Sequence, residues 1–344
     1  MRTPLFVALS GINATDNPGP GVPVARSLKE SGLDLRLIGL SYDVHDPGNY
    51  MDFLFETSYL LPFPTKGWPA IFKSLKKIKK ERGLDIVIPS LDVELPLYIK
   101  HAHELEKLNI KTFLPTSAQF EIRNKDRLGE ICRLFGVLYP ETSVVHSIDE
   151  LVACLKKGGQ LPCVIKGKYY KAYIVNNIAE AINKFTEIAN EWGTPILVQK
   201  IINGKEINLI GLGDGKGGSC GMVAIKKMTT TEIGKIWTGV TISHPEIIRL
   251  GELFIKKTLW RGPFELECIE SGGKLYIIEV NPRFPAWAYF STAAGINLPE
   301  RLVDLITKGS CDRSGDYKAG RLFVRYTYEI VTDLKKYSQL ALQD

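Results

Sequence analysis

"FELECIESGGKLYIIEVNPRF", residues 264–284, is the stretch that decides the fold. Two largely apolar runs with regularly spaced polar residues flank the small residues at 271–273, which predicts a β-hairpin with its turn at this point. Alternate side chains of a strand point to the same face, so Glu265 and Glu267 share one face of the first strand. The hairpin therefore carries neighbouring carboxylates on strands that otherwise have the composition of a protein core.

The second strand of the hairpin places Glu279, Asn281 and Arg283 on one face. Pairing across the turn brings one or both first-strand carboxylates beside Glu279 and Asn281. Carboxylate and amide oxygens are hard ligands that suit Mg²⁺, which keeps waters and also binds substrate phosphates. The guanidinium can donate two hydrogen bonds to a phosphoryl group. The alternative is an exposed polar face held by cross-strand ion pairs, but the combination of side chains favours a metal site.

The motif "LYIIEVNPRF" preceded by "GPFELE" resembles the metal-binding hairpin of the ATP-grasp superfamily, and the resemblance extends over roughly 110–310. It implies that Glu267, Glu279 and Asn281 bind Mg²⁺, or Mn²⁺ in its place. Glu265 is the replacement for Glu267, because both face the same way and hairpin lengths vary in the superfamily. The resemblance also implies a catalytic role for Arg283 at the transferring phosphate.

Two lysines resemble the phosphate contacts of the superfamily. "NKDRLGEICRLFGVLYPET" looks like the helix that opens the ATP-grasp domain, with Lys125 at the phosphate-contacting position; the alternative is a lysine on a helix surface. "LPCVIKGKYYKAYIV" places Lys166 at the end of an apolar strand, from which it can reach nucleotide phosphates or only solvent. Lys168 is a weaker candidate. Both Lys125 and Lys166 are therefore predicted to bind ATP.

"PILVQKIINGKEINLIG", residues 195–211, resembles the adenine-binding hinge of the superfamily. The resemblance implies that Gln199 and the backbone around Lys200 and Ile202 contact adenine, and that Glu206 holds the ribose hydroxyls. A common family pattern has a carboxylate where Lys200 stands, which leaves the adenine contact open in detail. Without the resemblance, "NGKE" predicts only a hairpin turn.

"AIKKMTTTEIGKIWTG", residues 224–239, supplies Lys227 as the candidate for a catalytic contact to the γ-phosphate or an acyl phosphate. The alternative is a solvated lysine at a strand end. Lys226 and Lys235 have the same two interpretations. Tyr169 and Tyr170 either close over the nucleotide or shield the sheet edge, and Trp287 and Tyr289 either contact the acceptor substrate or pack the helix. In the loop at 10–21, the resemblance implies substrate contacts from Asn13, Asp16 and Asn17.

Strand and helix signals change character along the chain. The predicted strands lie at 4–11, 33–40, 83–90, 162–168, 171–176, 195–202, 206–213, 219–227, 235–242, 263–270 and 274–281. The predicted helices lie at 22–32, 68–82, 93–108, 114–136, 148–157, 178–191, 245–258 and 285–306. Strands and helices alternate up to about residue 115, which is typical of doubly wound α/β folds, and hairpin-connected strands follow, which is typical of α+β folds.

With the resemblance, this pattern predicts an N-terminal Rossmann-like pre-ATP-grasp domain followed by a two-lobed ATP-grasp domain. The predicted boundaries are 1–115 for the α/β domain, 116–192 for the small lobe and 193–310 for the large lobe with the metal site. Residues 311–344 form a C-terminal extension. The fold class is therefore α/β and α+β in one chain.

Composition is that of a globular protein: 344 residues, 44% hydrophobic and 24% charged, with net charge +6. Basic residues are interleaved with acidic ones, so no nucleic-acid partner is expected. No apolar run is long enough to span a membrane. The six cysteines show no metal or redox spacing, which predicts free thiols and a reducing, cytoplasmic location. The superfamily resemblance adds a homodimer as an expectation.

The resemblance implies an ADP-forming carboxylate–amine ligase that uses ATP and small-molecule carboxylate and amine substrates, with an amino acid or a peptide expected among them. A carboxylate attacks the γ-phosphate of Mg·ATP to give an acyl phosphate, and an amine then displaces phosphate. Positioning and charge neutralisation suffice for such chemistry. Two alternatives stay open: carboxyphosphate chemistry like that of carbamoyl phosphate synthase, and a non-catalytic ATP-binding module.

Overall fold

The computed structural model describes residues 4–15, 17–158, 161–168, 171–231 and 234–342. The chain divides into two compact units. Unit 1 comprises Met1–Phe120, Leu209–Glu265 and Asn281–Asp344, and unit 2 comprises Glu121–Asn208 and Leu266–Val280. The four segments expected from the sequence are a different division, and their boundaries stay predictions.

The first part of unit 1 is a four-stranded parallel sheet. Its strands are β1 (Leu5–Leu9), β2 (Leu35–Ser41), β3 (Thr57–Leu60) and β4 (Ile86–Ile88), in the order β3-β2-β1-β4. Its helices are α1 (Gly21–Lys29), α2 (Trp68–Arg82), α3 (Leu95–Lys100), α4 (Ala102–Lys107) and α5 (Ser117–Glu121). Val7 and Leu9 pack in one apolar cluster and Ala8 in another, so β1 is buried on both faces, as parallel strands are.

Unit 2 contains a second four-stranded sheet together with helices. The strands are β5 (Thr142–Val145), β6 (Cys163–Gly167), β7 (Ala172–Val175) and β8 (Ile196–Lys200), in the order β5-β8-β6-β7, and the pairs are antiparallel. The helices are α6 (Lys125–Phe135), α7 (Ile148–Gly158) and α8 (Ile178–Trp192). Cys163 and Ile165 of β6 enter a core with Phe185 and Ile188 of α8. The helix α6 ends at Gly136, whose positive φ closes the last turn as the sequence predicts.

A six-stranded sheet completes the fold. Its strands are β9 (Lys205–Asp214), β10 (Ser219–Thr230), β11 (Ile236–Thr241), β12 (Arg261–Ser271), β13 (Lys274–Asn281) and β14 (Leu322–Val324). Their order is β13-β12-β9-β10-β11-β14, and β10–β11 and β11–β14 are antiparallel. The remaining helices are α9 (Pro245–Thr258), α10 (Tyr289–Ala293), α11 (Leu298–Lys308) and α12 (Leu334–Ala341). The predicted hairpin at 264–284 is therefore confirmed as β12 and β13.

Three predicted helices are wrong in extent, because each is two shorter helices. The segment 93–108 breaks at His101, whose ψ of 17° is not helical, between α3 and α4. The segment 114–136 is interrupted between α5 and α6. The segment 285–306 splits at Gly295, whose φ of 114° is accessible chiefly to glycine. The sequence pattern also missed the short strands β3, β5 and β14 and the helix α12. Their burial is compatible with edge or surface elements.

The cysteines and the helices agree with two further expectations. All six cysteines are free thiols, and Cys132, Cys163, Cys220 and Cys268 are buried. In the part of the chain that the structure describes, no helix combines the length and apolar character needed to cross a membrane.

A buried carboxylate forms hydrogen bonds with the loops at the carboxyl ends of three parallel strands. Glu94 has no exposed surface, and its carboxylate accepts hydrogen bonds from the hydroxyls of Ser10 and Tyr42. It also accepts from the backbone N–H groups of Ser90, at 2.8 Å, and Leu91, at 2.9 Å. Burial raises the pKa of Glu94, and the donated hydrogen bonds oppose that rise. The loops after β1, β2 and β4 are thus held by one side chain.

We expect Glu94→Ala to lower the free energy of unfolding of this unit by about 3 kcal/mol, because it leaves several buried donors without an acceptor. Glu94→Gln keeps an acceptor oxygen and should cost less. Val93→Ala, at an exposed neighbouring site, is the matched control and should stay within about 0.5 kcal/mol of wild type. Urea unfolding followed by circular dichroism measures all three. An Ala variant at 94 as stable as the control would show that the network contributes nothing.

Candidate functional site

Two lysines and three glutamates of unit 2 form the lysine–glutamate cluster: Lys125, Lys166, Glu206, Glu267 and Glu279. Lys125 is the first residue of α6, and its Nζ lies 3.1 Å from Oε2 of Glu279 in β13. Lys166 in β6 interacts electrostatically with Lys125 and with all three carboxylates. The structure thus brings together the predicted phosphate lysines and two of the predicted metal ligands.

Strand geometry explains why Lys166 faces this cluster. Its neighbours Cys163 and Ile165 enter the core of unit 2, and alternation sends the Lys166 side chain to the opposite face. There, loss of hydration and the nearby Lys125 ammonium lower the pKa of Lys166 to about 8, against the partial opposition of Glu279, Glu267 and Glu206. An ammonium group with a depressed pKa is short of water and counter-charge, and a bound anion would supply that charge.

The asparagine cluster, in unit 1, consists of Glu265, Asn281, Arg283 and Trp287. Asn281 Nδ2 donates to Glu265 Oε2 at 3.0 Å, and Trp287 Nε1 donates to Glu265 Oε1 at 2.7 Å. Glu265 is only 4% exposed, so these two donors replace the water that a carboxylate normally holds. Because Nδ2 is committed to Glu265, the amide of Asn281 is held in one orientation with its oxygen towards Arg283 Nη2, at 3.4 Å.

This geometry bears on the choice between Glu265 and Glu267 as a metal ligand. Both oxygens of Glu265 accept hydrogen bonds inside the asparagine cluster, whereas Glu267 lies half-buried in the lysine–glutamate cluster. The choice between Glu265 and Glu267 stays a prediction. Over the described ranges, no three His, Cys, Asp or Glu side chains form a group that could hold a metal ion by themselves.

Arg283 is engaged by a residue that the sequence reasoning missed. Its Nε and Nη2 donate to Oδ2 of Asp92 at 3.2 and 3.0 Å, and its Nη1 donates to the carbonyl of Phe284. Asp92 follows β4, at the carboxyl edge of the parallel sheet, where ligands commonly bind in α/β folds. Its position after a parallel strand could have identified Asp92 as a candidate from the sequence. A phosphate contact by Arg283 would share or replace the contact with Asp92.

The predicted adenine hinge lies at the end of β8 and beyond it. Gln199 is buried, and its Nε2 donates to Thr142 Oγ1 at 2.9 Å. The N–H of Lys200 donates to the Glu141 carbonyl at 2.9 Å, so a backbone contact from Lys200 to a ligand is limited to its carbonyl. Ile202 is half-buried and lies outside any strand or helix. The adenine assignments stay predictions.

The remaining candidates are dispersed. Lys227 is half-buried in β10 opposite Gly239 of β11, beside an irregularity in the strand pairing. Lys168 Nζ lies 3.2 Å from Oδ2 of Asp126. Asn13 Nδ2 donates to the Asn17 carbonyl, and the Tyr289 hydroxyl donates to Glu30. The candidates Asp16, Tyr169 and Tyr170 lie outside the described residues.

Sequence comparison gives one kind of relative. No protein-family model matches the chain. It is 25% identical over 228 residues to the carbamoyl phosphate synthase large chain of Clostridium beijerinckii. This match covers 61% of the chain and 20% of the relative, so the chain spans about a fifth of the length of that protein.

Solved structures match over nearly the whole chain. The biotin carboxylase domain dimer of 2-oxoglutarate carboxylase from Hydrogenobacter thermophilus, in complex with MgADP, ADP and bicarbonate, has a TM-score of 0.69 at 16% identity and covers 94% of this chain and 74% of that chain. N5-carboxyaminoimidazole ribonucleotide synthetase from Thermus thermophilus has a TM-score of 0.67 at 15% identity, with 92% and 81% covered. L-amino acid ligase from Bacillus licheniformis has a TM-score of 0.64 at 17% identity, with 89% and 75% covered.

These relatives and neighbours are all ATP-grasp enzymes. The resemblance of the chain to the ATP-grasp superfamily is confirmed, and the chain has the ATP-grasp fold. At these identities the structural matches establish the fold alone, so the substrates and the residue roles need a separate argument.

We expect Lys166 to titrate near pH 8. The unfolded chain keeps this proton up to the usual pKa of 10.5, so between pH 8 and 10.5 the unfolded state binds more protons than the folded state. The free energy of unfolding of the wild type should therefore rise relative to that of Lys166→Met as pH increases through this window. In ¹³C-dimethyl-lysine NMR spectra, the resonance titrating near pH 8 should be missing from Lys166→Met. Identical pH dependence in both proteins would refute the assignment.

Proposed function

We propose that the chain is an ATP-dependent, ADP-forming ligase that activates a carboxylate as an acyl phosphate and joins it to an amine, with an amino acid or a peptide among the substrates. The observation that carries this proposal is the lysine–glutamate cluster. Two ammonium groups and three carboxylates of unit 2 interact electrostatically, so a triphosphate and its divalent cation would each meet groups of opposite charge there.

The cluster is organised for an exchange of partners. Lys125 Nζ and Glu279 Oε2 form an ion pair at 3.1 Å. With Mg·ATP bound, the phosphates would pair with the ammonium of Lys125, and the carboxylate of Glu279 would pair with the cation. Each charge therefore keeps a partner throughout, so the exchange avoids leaving a desolvated charge unpaired. Lys166 gains an anionic partner at the same moment, which opposes the loss of hydration that lowers its pKa.

The donor set fits a hard divalent cation. Glu267 and Glu279 supply carboxylate oxygens, and Asn281 supplies an amide oxygen whose orientation is fixed by the hydrogen bond to Glu265. Two carboxylates and one amide are too few for an all-protein cage, which agrees with the preference of Mg²⁺ for retained waters and substrate phosphates. Bound Mg²⁺ supplies charge neutralisation and alignment of the phosphates.

The reaction needs no side-chain nucleophile. A substrate carboxylate oxygen attacks the γ-phosphorus, the bond to the β,γ-bridging oxygen breaks, and ADP leaves. An amine nitrogen then attacks the acyl carbon, phosphate leaves, and the nitrogen loses a proton. Lys125, Lys166 and Arg283 neutralise the charge on the transferring group, with Lys227 as the further candidate. Such positioning and electrostatic stabilisation account for most of phosphoryl-transfer catalysis.

The nucleotide base and ribose are assigned to the segment after β8. Gln199, Lys200 and Ile202 form the adenine contact, with the Lys200 carbonyl as the available backbone acceptor, and Glu206 holds the ribose. Glu206 is exposed at the start of β9, so its carboxylate can accept from hydroxyl groups without a large desolvation cost. In this assignment 116–192 and 193–310 are the two lobes around the nucleotide.

A second candidate function is carboxyphosphate chemistry, in which bicarbonate is the activated carboxylate. It is supported by the bicarbonate in the structural neighbour from Hydrogenobacter thermophilus and by the carbamoyl phosphate synthase relative, whereas the L-amino acid ligase neighbour supports an amine acceptor. Both candidates use the same ATP chemistry and differ only in the carboxylate.

Incubation of the pure protein with Mg·ATP and a pool of amino acids, small peptides and carboxylic acids should give ADP, phosphate and a new mass that corresponds to an amide. A parallel incubation with bicarbonate as the sole carboxylate separates the two candidates, because ADP release that depends only on bicarbonate identifies carboxyphosphate chemistry. Mass spectrometry and nucleotide chromatography follow the products. AMP and pyrophosphate would overturn the acyl phosphate mechanism.

Glu279→Ala should abolish Mg²⁺-dependent ATP turnover while leaving the circular dichroism spectrum unchanged, because it removes a proposed cation ligand from a half-buried position. Glu267→Gln should raise the Mg²⁺ concentration needed for half-maximal turnover. Glu265→Gln should affect this requirement less, since Glu265 acts through the orientation of Asn281. Glu270→Gln is the matched control, because Glu270 lies on β12 with Glu265 and Glu267 but belongs to neither cluster.

Two results would contradict these roles. Undiminished turnover in Glu279→Ala would remove the cation assignment. A Mg²⁺ requirement raised by Glu265→Gln and unaltered by Glu267→Gln would make Glu265 the ligand, despite its two hydrogen bonds in the asparagine cluster.

A further inference from the structure

The strand β14 is the last strand of the six-stranded sheet in the described part of the chain. The backbone N–H of Arg325 donates to the carbonyl of Trp237, and the carbonyl of Arg321 accepts from the backbone N–H of Thr241, each at 2.9 Å. The backbone groups of the odd-numbered residues therefore face β11. In an antiparallel ladder the intervening residues, Leu322 and Val324, direct their N–H and C=O groups to the other side. That side is an open edge able to accept another strand.

The same residues carry an exposed apolar stripe. Leu322 is 61% exposed, Val324 57%, Tyr326 76% and Tyr328 62%. The rings of Tyr326 and Tyr328 lie 6.4 Å apart, as expected for side chains on one side of an extended segment. Edge strands that remain single are usually short, charged or covered, because an exposed apolar edge pairs with other strands. An apolar stripe along an open edge therefore marks an interaction surface.

We propose that the segment 321–333 pairs antiparallel with the same segment of a second copy of this chain, about a two-fold axis through Thr327. The segment reads RLFVRYTYEIVTD. In this register Arg321 lies opposite Asp333, and Arg325 lies opposite Glu329. The pairing extends the six-stranded sheet across the axis into a sheet shared by two subunits. The proposal is independent of the proposed enzymatic function.

Charge complementarity identifies a second copy as the occupant. The four charged residues of the segment are spaced by four, with two arginines before the centre and two acids after it, so a two-fold axis at Thr327 pairs every charge with its opposite. A two-fold interface uses one surface patch twice, and this patch is complementary to itself. A different strand paired at this edge would face two positive charges followed by two negative ones. It would form favourable pairs only if its own charges had the complementary order.

The hydrogen-bonding pattern agrees with the same register. The residues that face each other as hydrogen-bonded pairs must direct their backbone groups to the open edge. In β14 these are the even-numbered residues Leu322 and Val324, and the proposed pairing continues the same alternation to residue 333. The register pairs even with even: Tyr326 with Tyr328, Val324 with Ile330 and Leu322 with Thr332. A register shifted by one residue would place β11-facing groups at the interface and lose the ladder. Charge, apolar stripe and backbone direction thus favour one arrangement.

Two kinds of variant test the pairing in the full-length chain. Val324→Pro removes an edge-facing N–H and leaves the groups that face β11, so it should convert the dimer to monomer while circular dichroism stays unchanged. Arg321→Glu and Asp333→Arg each place like charges opposite one another and should weaken the dimer, and the double variant should restore it. Arg321 is the better probe because Arg325 Nη2 already donates to the Ala286 carbonyl.

Light scattering coupled to size exclusion, over a wide range of loading concentrations, measures the mass of each protein. The expected result is a dimer for wild type and the double variant, and a shift to monomer for Val324→Pro and both single charge variants. A wild-type monomer at every concentration would overturn the proposal. A dimer of unchanged strength in Val324→Pro, or single charge variants that the double variant does not rescue, would place the dimer interface elsewhere.

Discussion

The charge balance around the Lys166 ammonium links elements of unit 2 that lie far apart in the sequence. A lysine that loses hydration in a folded protein favours its neutral form unless carboxylates lie close to it. Here those carboxylates come from β9, β12 and β13, while Lys166 stands on β6 and a second ammonium comes from the start of α6. The register of several strands must therefore be correct for the charges to match. A shift of one residue in any strand would turn its carboxylate to the opposite face.

A second constraint concerns the orientation of an amide rather than a charge. An asparagine offers an oxygen and a nitrogen of similar size, so its side chain can serve a cation only if something fixes which atom points outward. Glu265 does this by accepting from Nδ2 of Asn281, and Trp287 in turn fixes Glu265. The sequence pattern placed Glu265 and Glu267 on one face but could not separate their roles, because that depends on which partner lies opposite each one.

The hairpin at 264–284 and the parallel sheet could be predicted because their signals are local: apolar runs, alternation and glycine turns. The break at His101 was missed because a single residue interrupts an otherwise helical pattern. The break between α10 and α11 has local signals that were overlooked, namely Gly295 and the N-cap Asn297, whose side chain accepts from the Glu300 N–H. The strand β14 has three residues and the helix α12 eight, so each is too short for a periodic pattern to stand out from its surroundings. Asp92 and Arg283 are 191 residues apart, and no local pattern reports such a contact.

The loop after β4 contacts two parts of unit 1 that lie far apart in the sequence: the loops of the parallel sheet and Arg283. Asp92 holds the guanidinium of Arg283, and two residues later Glu94 holds the loops after β1 and β2 through Ser10 and Tyr42. Because both carboxylates stand on one short loop, a continuous set of hydrogen bonds connects Arg283 to the carboxyl edge of the parallel sheet. Binding of an anion to Arg283 would compete with Asp92 and so release one anchor of that loop while Glu94 keeps the other. The edge where α/β folds commonly bind their ligands is thus linked by direct contacts to Arg283, which we propose contacts the transferring phosphate.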